Sequence, residues 1–187
     1  MKKTFTILFD ADDTSENLSE VWLAVLNEKY GTAVAVTDIH DWDVSLAFPG
    51  LTREQVYGAL NWDVLWQQLA PLPGSQRVLQ QLYDEGHQLY MVTATDYRHC
   101  KPKMDAILAM FPFLDWDHVI LTSRKQLVRG DILIDDGPHN LVGGDYVRIL
   151  FDRPYNHDFP DRAEGCIRAH GWDEVYTIIA ELSGSGV

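Results

Sequence analysis

The chain has 187 residues, 46% of them hydrophobic and 23% charged, which excludes a disordered chain and leaves room for one sizeable core plus a small insertion. Fifteen basic side chains stand against 28 acidic ones, a formal charge of −13, so no basic surplus exists to displace counterions from a nucleic-acid polymer. A small phosphorylated molecule stays within reach, because one divalent cation and one or two lysines reverse the sign locally.

The first strongly apolar run, residues 4–9, reads as a strand and ends in Asp10-Ala11-Asp12-Asp13-Thr14. Three carboxylates in four residues repel one another and resist losing water. The arrangement makes sense where a cation sits, or where one carboxylate does chemistry. A solvated turn with an Asp capping the next helix is the alternative. Leu18, Val21, Trp22 and Val25 follow at helical spacing, predicting a helix over 15–30 that Gly31 ends. Residues 32–50 show no clean period. Thr52 caps a short helix to about residue 60, and one or two further helical turns over 63–69 carry Trp66. Pro71-Leu72-Pro73-Gly74 closes the region like a hinge. Residues 15–72 therefore read as a small helical cap inserted after the first strand, with 1–14 and 73–187 as the core.

Beyond Gly74 the pattern is regular. A helix over 75–85 shows its apolar face through Val78, Leu79 and Leu82, and a buried strand follows over 88–93. A helix over 101–110, strands over 118–121, 131–135 and 146–151, and a closing helix over 172–182 complete the series, with 183–187 expected to fray. Strands alternating with helices predict an α/β fold, a doubly wound, Rossmann-like parallel sheet of five strands. In such a sheet the carboxyl ends of strands share one edge. Asp135-Asp136, directly after Ile132-Leu133-Ile134, would then converge with the Asp10 cluster on one crevice.

Cys100 and Cys166 have no zinc or redox spacing, which points to a reducing, cytoplasmic compartment. Met1-Lys2-Lys3 imitates the start of a signal peptide, but Asp10, Asp12 and Asp13 cut the apolar run short, and no run approaches transmembrane length. No membrane association is expected.

These residues resemble a known family. Asp10-Ala11-Asp12-Asp13-Thr14 matches the DxDxT signature of haloacid dehalogenase-like (HAD) phosphatases. Thr93 at the end of the second strand matches their second motif, Lys125 the third, and Asp135-Asp136 the fourth. Pro71-Leu72-Pro73-Gly74, the stretch from Lys125 to Asp136 with Gly130-Asp131, and Leu150-Phe151 followed by Asn156 look like cytosolic 5′(3′)-deoxyribonucleotidases. The sequence departs from the pattern twice. Asp13 stands where the family often has Gly, and Thr93-Ala94-Thr95 where it has Thr-Ser-Pro.

The resemblance implies an Mg²⁺-dependent phosphomonoester hydrolase. Such a reaction needs a nucleophile, a proton for the leaving alkoxide and positive charge around the phosphoryl oxygens. Asp10 would attack phosphorus, and Asp12 would donate a proton and later accept one. That role asks for a raised pKa, which neighbouring carboxylates favour. Mg²⁺ would be held by the Asp10 carboxylate, the Asp12 backbone carbonyl and Asp136, with Asp135 as a water-bridged partner. Thr93, the Ala94 backbone and Lys125 would hold the phosphoryl oxygens. Asp131 would pin the fourth strand. Lys101 and Lys103 add positive potential or merely solvate a helix start, and His99 and His139 lack any metal-partner spacing.

Four of the six tryptophans, Trp22, Trp42, Trp62 and Trp66, crowd the insertion, either as an aromatic wall for a nucleobase or as the core of a small cap. By position, Leu18, Trp42 and Trp66 match cap residues that contact the base in the resembled enzymes. The implied partner is a deoxynucleoside monophosphate, with neither a nucleic-acid polymer nor a membrane, and a homodimer is compatible with the sequence. Two rivals stand beside this reading. One is a HAD phosphatase for another ester, such as a sugar phosphate. The other is a phosphate- or metal-binding regulator without turnover, which would have no need of Asp12.

Overall fold

The computed structural model describes residues 3–184. Six parallel strands form one sheet: β1 (Thr6–Phe9), β2 (Gln88–Thr93), β3 (Val119–Leu121), β4 (Ile132–Asp135), β5 (Val147–Phe151) and β6 (Cys166–Ala169). Their order is β3-β2-β1-β4-β5-β6. The chain winds outward from β1 through β2 to β3, then returns to the other side of β1 with β4. The topological switch point therefore falls between β1 and β4. Register sets the acidic residues level: Phe9 pairs with Ile134, so Asp10 and Asp135 leave the sheet side by side.

The sixth strand corrects the five-strand expectation. β6 pairs along β5 at the sheet edge, and its Arg168 breaks the apolar run by which inner strands are recognised. Arg168 is satisfied by Asp152 at 2.7 Å and Asp161 at 3.0 Å, an arrangement that only the folded chain creates.

Seven helices accompany the sheet among the described residues: α1 (Leu18–Tyr30), α2 (Arg53–Gly58), α3 (Asp63–Trp66), α4 (Ser75–Asp84), α5 (Cys100–Met110), α6 (Pro138–Leu141) and α7 (Trp172–Leu182). Alternation along the strands divides the core. Ile7, Phe9, Met91 and Ile134 face a cluster built with α4, α5 and α7, whereas Leu8, Val92, Leu133 and Leu150 face the opposite side, covered by α6 and loop side chains. The helices between β1 and α4 bury an apolar cluster of their own, with Leu26, Val56, Leu65 and Trp66 at its centre. None of the described helices is long and apolar enough to cross a membrane. Of the tail expected to fray, Ser183 is buried and donates to the Ala180 carbonyl at 2.7 Å, and 185–187 lie outside the described residues.

Two contacts fix β1 where the site needs it. Asp131 pins β1 beside β4: its Oδ2 accepts the Thr6 N–H at 2.7 Å, and its own N–H donates to the Thr6 carbonyl at 2.8 Å. The buried Trp172 indole donates to the Thr14 carbonyl at 2.8 Å, bracing the loop that carries the acidic cluster. Beside Asp131, Gly130 packs so closely on β1 that a Cβ would stand 2.6 Å from Leu8 Cγ. Leu8 is fully buried and has nowhere to go. Gly130→Ala is expected to destabilise the fold by about 1–3 kcal/mol, read as a lower urea midpoint at unchanged m-value.

Candidate active site

The loop after β1 is tightly curled. The Asp10 N–H donates to the Ile134 carbonyl at 2.9 Å, and the N–H groups of Thr14, Ser15 and Glu16 all turn back to the Ala11 carbonyl. Asp13 takes the left-handed conformation at φ 54°, which Asp tolerates better than most residues. Its carboxylate accepts the Ser19 N–H at 2.9 Å and the Ser19 hydroxyl, satisfying the first turn of α1. The carboxyl that departs from the family pattern thus caps a helix, although it also borders the cavity described below.

Asp10, Asp135 and Asp136 are buried, each with a ligand atom within 4.8 Å of the others'. Lys125, 2% exposed, ion-pairs with Asp10 at 2.7 Å and Asp135 at 2.5 Å. Burial works against its charge, but the two carboxylates hold its pKa well above the ordinary lysine value. Burial, reinforced by Asp135 and Asp12, pushes Asp10 up to about 7 against the pull of Lys125. Burial and the neighbouring Asp135 and Asp10 push Asp136 well up as well. Three carboxylates against one ammonium leave two negative charges uncompensated, and the all-oxygen donor set suits a hard dication. The residues fit a divalent metal. Asp135 has little left to offer it: Oδ1 accepts from the Gly137 N–H and Asn140, both at 2.9 Å, and Oδ2 holds Lys125. Asp136 accepts the Thr14 hydroxyl at 3.1 Å and the Tyr155 hydroxyl.

Asp12 points elsewhere. Lys103, 1% exposed on α5, binds its Oδ2 at 2.6 Å and also donates to Thr93 Oγ1 at 3.0 Å and the Ala94 carbonyl at 3.1 Å. Burial works to raise Asp12, but the Lys103 ammonium and a hydrogen bond from Glu16 overcome it and hold the carboxyl below its ordinary value. The raised pKa expected of this acid is absent, because the expectation had no cation beside it. Glu16 is fully buried, and burial with the Asp12 charge lifts it well above its ordinary value.

A cavity of about 490 Å³ opens over these groups. Asp10, Asp12, Lys125 and Asp136 lie along its floor, and Leu18, Trp22, Trp42, Tyr57 and Tyr155 supply apolar wall. A family model described as 5′ nucleotidase, deoxy (pyrimidine), cytosolic type C protein matches residues 3–183. The chain belongs to this family. It is 32% identical over 176 residues to a 5′(3′)-deoxyribonucleotidase of Bacillus subtilis (strain 168), covering 94% of this chain and 97% of that one. The enzyme of the same description in Clostridium acetobutylicum is 30% identical over 177 residues, covering 95% and 96%. Among solved structures, a HAD family hydrolase from Deinococcus radiodurans with bound phosphate and sodium superposes with a TM-score of 0.62 at 16% identity, covering 98% of both chains. A haloacid dehalogenase-like hydrolase from Streptococcus pneumoniae gives 0.61 at 16%, covering 92% and 96%. At such identity these two speak for the fold alone.

Within this nucleotidase family member the four motif positions come together, Thr93 through Lys103, and Leu18, Trp42 and Ala94 line the cavity. Trp66 does not. It is 2% exposed, bonded to the Leu60 carbonyl at 2.9 Å and stacked on His99 at 5.1 Å, so it serves the helical cluster and an adjoining hollow. Its position ahead of Pro71-Leu72-Pro73-Gly74 matches a base-contacting residue of the resembled enzymes, but a large apolar ring is equally what a small core buries. Thr93 is fully buried beneath the floor and reaches the site through Lys103. Lys101 is the solvated one of the two lysines, 84% exposed and paired with Asp105, while Lys103 is the buried one. One turn of helix is 3.6 residues, so lysines two apart face nearly opposite ways; this was the signal available for telling them apart. Ser123, Tyr57 and Tyr155 had no motif to mark them.

Without metal, the folded state keeps a proton on Asp10 between about pH 4 and 7 that the unfolded chain, with the ordinary value of 3.8, has released. The stability it contributes is complete below about pH 4 and lost as pH rises through about 7; Asp136 and Glu16 act in the same sense. The thermal midpoint of metal-free protein should therefore fall across this range and recover on adding a divalent cation, which binds the ionised carboxylates. A midpoint at pH 8 indifferent to the cation would exclude the metal site.

Proposed function

We propose that the chain is an Mg²⁺-dependent 5′(3′)-deoxyribonucleotidase, hydrolysing deoxynucleoside monophosphates through an aspartyl-phosphate on Asp10. The observation that carries this reading is the meeting of Asp10, Asp12, Lys103, Lys125 and Asp136 at one switch point, under an aromatic-walled cavity sized for a small ligand. Residues 1–14 and 73–187 would make up the phosphatase core and 15–72 the cap, a division supported by the apolar cluster that the helices of 15–72 bury among themselves. The Asp10 and Asp136 carboxylates and the Asp12 backbone carbonyl would hold Mg²⁺. The cation, when bound, screens the negative charge that otherwise keeps an anionic phosphoryl group from approaching a carboxylate nucleophile.

An Asp10 carboxylate oxygen forms a bond to phosphorus while the bond from phosphorus to the ester oxygen breaks. Asp12 gives its proton to the departing nucleoside oxygen. Water then attacks the aspartyl-phosphate phosphorus, Asp12 takes the water proton, and free phosphate leaves the regenerated Asp10 carboxylate. Lys125 and Lys103 supply positive charge from two sides. A phosphoryl dianion competes with Asp12 for the Lys103 ammonium, and releasing Asp12 from that pair lets its carboxyl hold a proton when the acid is needed. The cap excludes water during the transfer.

Phosphate release from a panel of deoxynucleoside monophosphates and sugar phosphates, with Mg²⁺ and with EDTA, tests the reading. Turnover of dUMP or dTMP is expected, lost with EDTA and lost in Asp10→Asn. Release confined to sugar phosphates would keep the chemistry and reject the substrate, and no release from any ester would favour a binding protein. Lys103→Met is expected to lower kcat about 100-fold. It should also shift the alkaline limb of the phosphoryl-transfer step upward in pH, because Asp12, the proton donor, loses the cation that holds its pKa down.

A further inference from the structure

One turn of chain grips Asp136. Pro154–Asn156 form a single 3-10 turn after β5, and two of its side chains reach back to the same residue. Asn156 Nδ2 donates to the Asp136 carbonyl at 2.8 Å, and the Tyr155 hydroxyl donates to Asp136 Oδ2. Because Thr14 Oγ1 serves Oδ1 at 3.1 Å, each carboxylate oxygen carries one hydroxyl donor and keeps a lone pair free.

The ring of Tyr155 belongs to the other core. Among the described residues it is the one member of the cap's apolar cluster from outside residues 15–72. Trp42 lies edge-on to it at 5.7 Å and edge-on to His139 at 4.5 Å. The Trp42 ring reaches so near the backbone that a Cβ on Gly137, next to Asp136, would stand 3.0 Å from it. Trp42, His139 and Tyr155 all line the cavity.

We propose that Tyr155 is a positioning residue coupling the cap to the metal site: seating Trp42 on the Tyr155 ring fixes the direction of the Asp136 carboxylate, so that closure over a nucleoside tightens the cation. A phenol has one O–H, and its direction follows the ring, so a shift of Trp42 at the ring edge is felt at Oδ2. Groups that orient a metal-binding carboxylate commonly change metal affinity 10- to 100-fold. The coupling is reciprocal, so the cation must also tighten the nucleoside. The nucleoside part rests on the nucleotidase reading; the link between Trp42, Tyr155 and the metal does not.

Mn²⁺ binding to the metal-free full chain, followed by the EPR signal of free Mn²⁺, tests this without turnover. Tyr155→Phe keeps the ring and removes the donor, and should weaken Mn²⁺ about 10-fold. Trp42→Ala should weaken Mn²⁺ in the parent protein and have no further effect in Tyr155→Phe, the non-additivity expected of residues acting through one another. Thymidine, which has no phosphate to ligate the ion, should tighten Mn²⁺ about fivefold in the parent and not in Tyr155→Phe. Unchanged Mn²⁺ affinity in Tyr155→Phe, with only a lower thermal midpoint, would overturn the proposal, as would additive Trp42 and Tyr155 effects. Thymidine that binds without changing Mn²⁺ affinity would overturn the coupling. Thymidine that does not bind counts against the nucleotide reading, and the Trp42–Tyr155 cycle then decides the coupling by itself.

Discussion

Three carboxylates buried around a single ammonium, at the carboxyl ends of β1 and β4, set the terms for the rest of the structure. Such a cluster opposes folding, since each charge loses water and repels its neighbours. It persists because stronger constraints hold the chain around it. The Phe9–Ile134 register, the Asp131 clasp on Thr6, the Gly130–Leu8 contact and the Trp172 bond to Thr14 leave the acids no alternative position. The strain resides in the site, and the stability that offsets it resides in the apolar faces of the sheet.

Two lysines divide the work of holding this charge, and they come from opposite sides of the switch point. Lys125, ahead of β4, ties Asp10 to Asp135 and keeps the ends of β1 and β4 at a fixed spacing. Lys103, from the helix after β2, ties Asp12 to the end of that strand through Thr93 and Ala94. Asp10 and Asp12 are thereby given different environments. Asp10, buried among other carboxylates, is pushed up, and Asp12, beside its own cation, is pulled down. Divergent surroundings are how adjacent carboxylates come to play separate roles.

What the sequence made legible was what obeys a period or breaks one. Five strands stood out as apolar runs, and the acids stood out because carboxylates directly after such runs have no structural excuse. β6 was not legible because Arg168 interrupts it and finds Asp152 and Asp161 only in the folded chain. Lys103 looked like any lysine near a helix start, since its burial depends on the approach of the loop after β1, more than ninety residues away in sequence. Trp66 matches a base-contacting residue by position alone, and position along the chain is silent about which cavity a ring faces. Asp13 departed from a glycine pattern at a left-handed position, where Asp serves the backbone and gains a helix cap as well.

A net charge of −13 repels an anionic substrate, and the geometry reconciles the two. Screening confines exposed charges to about 10 Å at moderate salt, so the acidic exterior acts mainly on whatever approaches the surface at large. A polyphosphate chain would meet that surface along its whole length without a basic track to follow. On the proposed reading, a monophosphate need present only one group to one place, where Lys103, Lys125 and a dication would cancel the charge of the four acids. The apolar wall of Leu18, Trp22, Trp42 and Tyr57 can then take up the uncharged remainder of the molecule. On that reading, preference for a small ester over a polymer would follow from confining the two lysines to an apolar-walled cavity in an otherwise acidic protein.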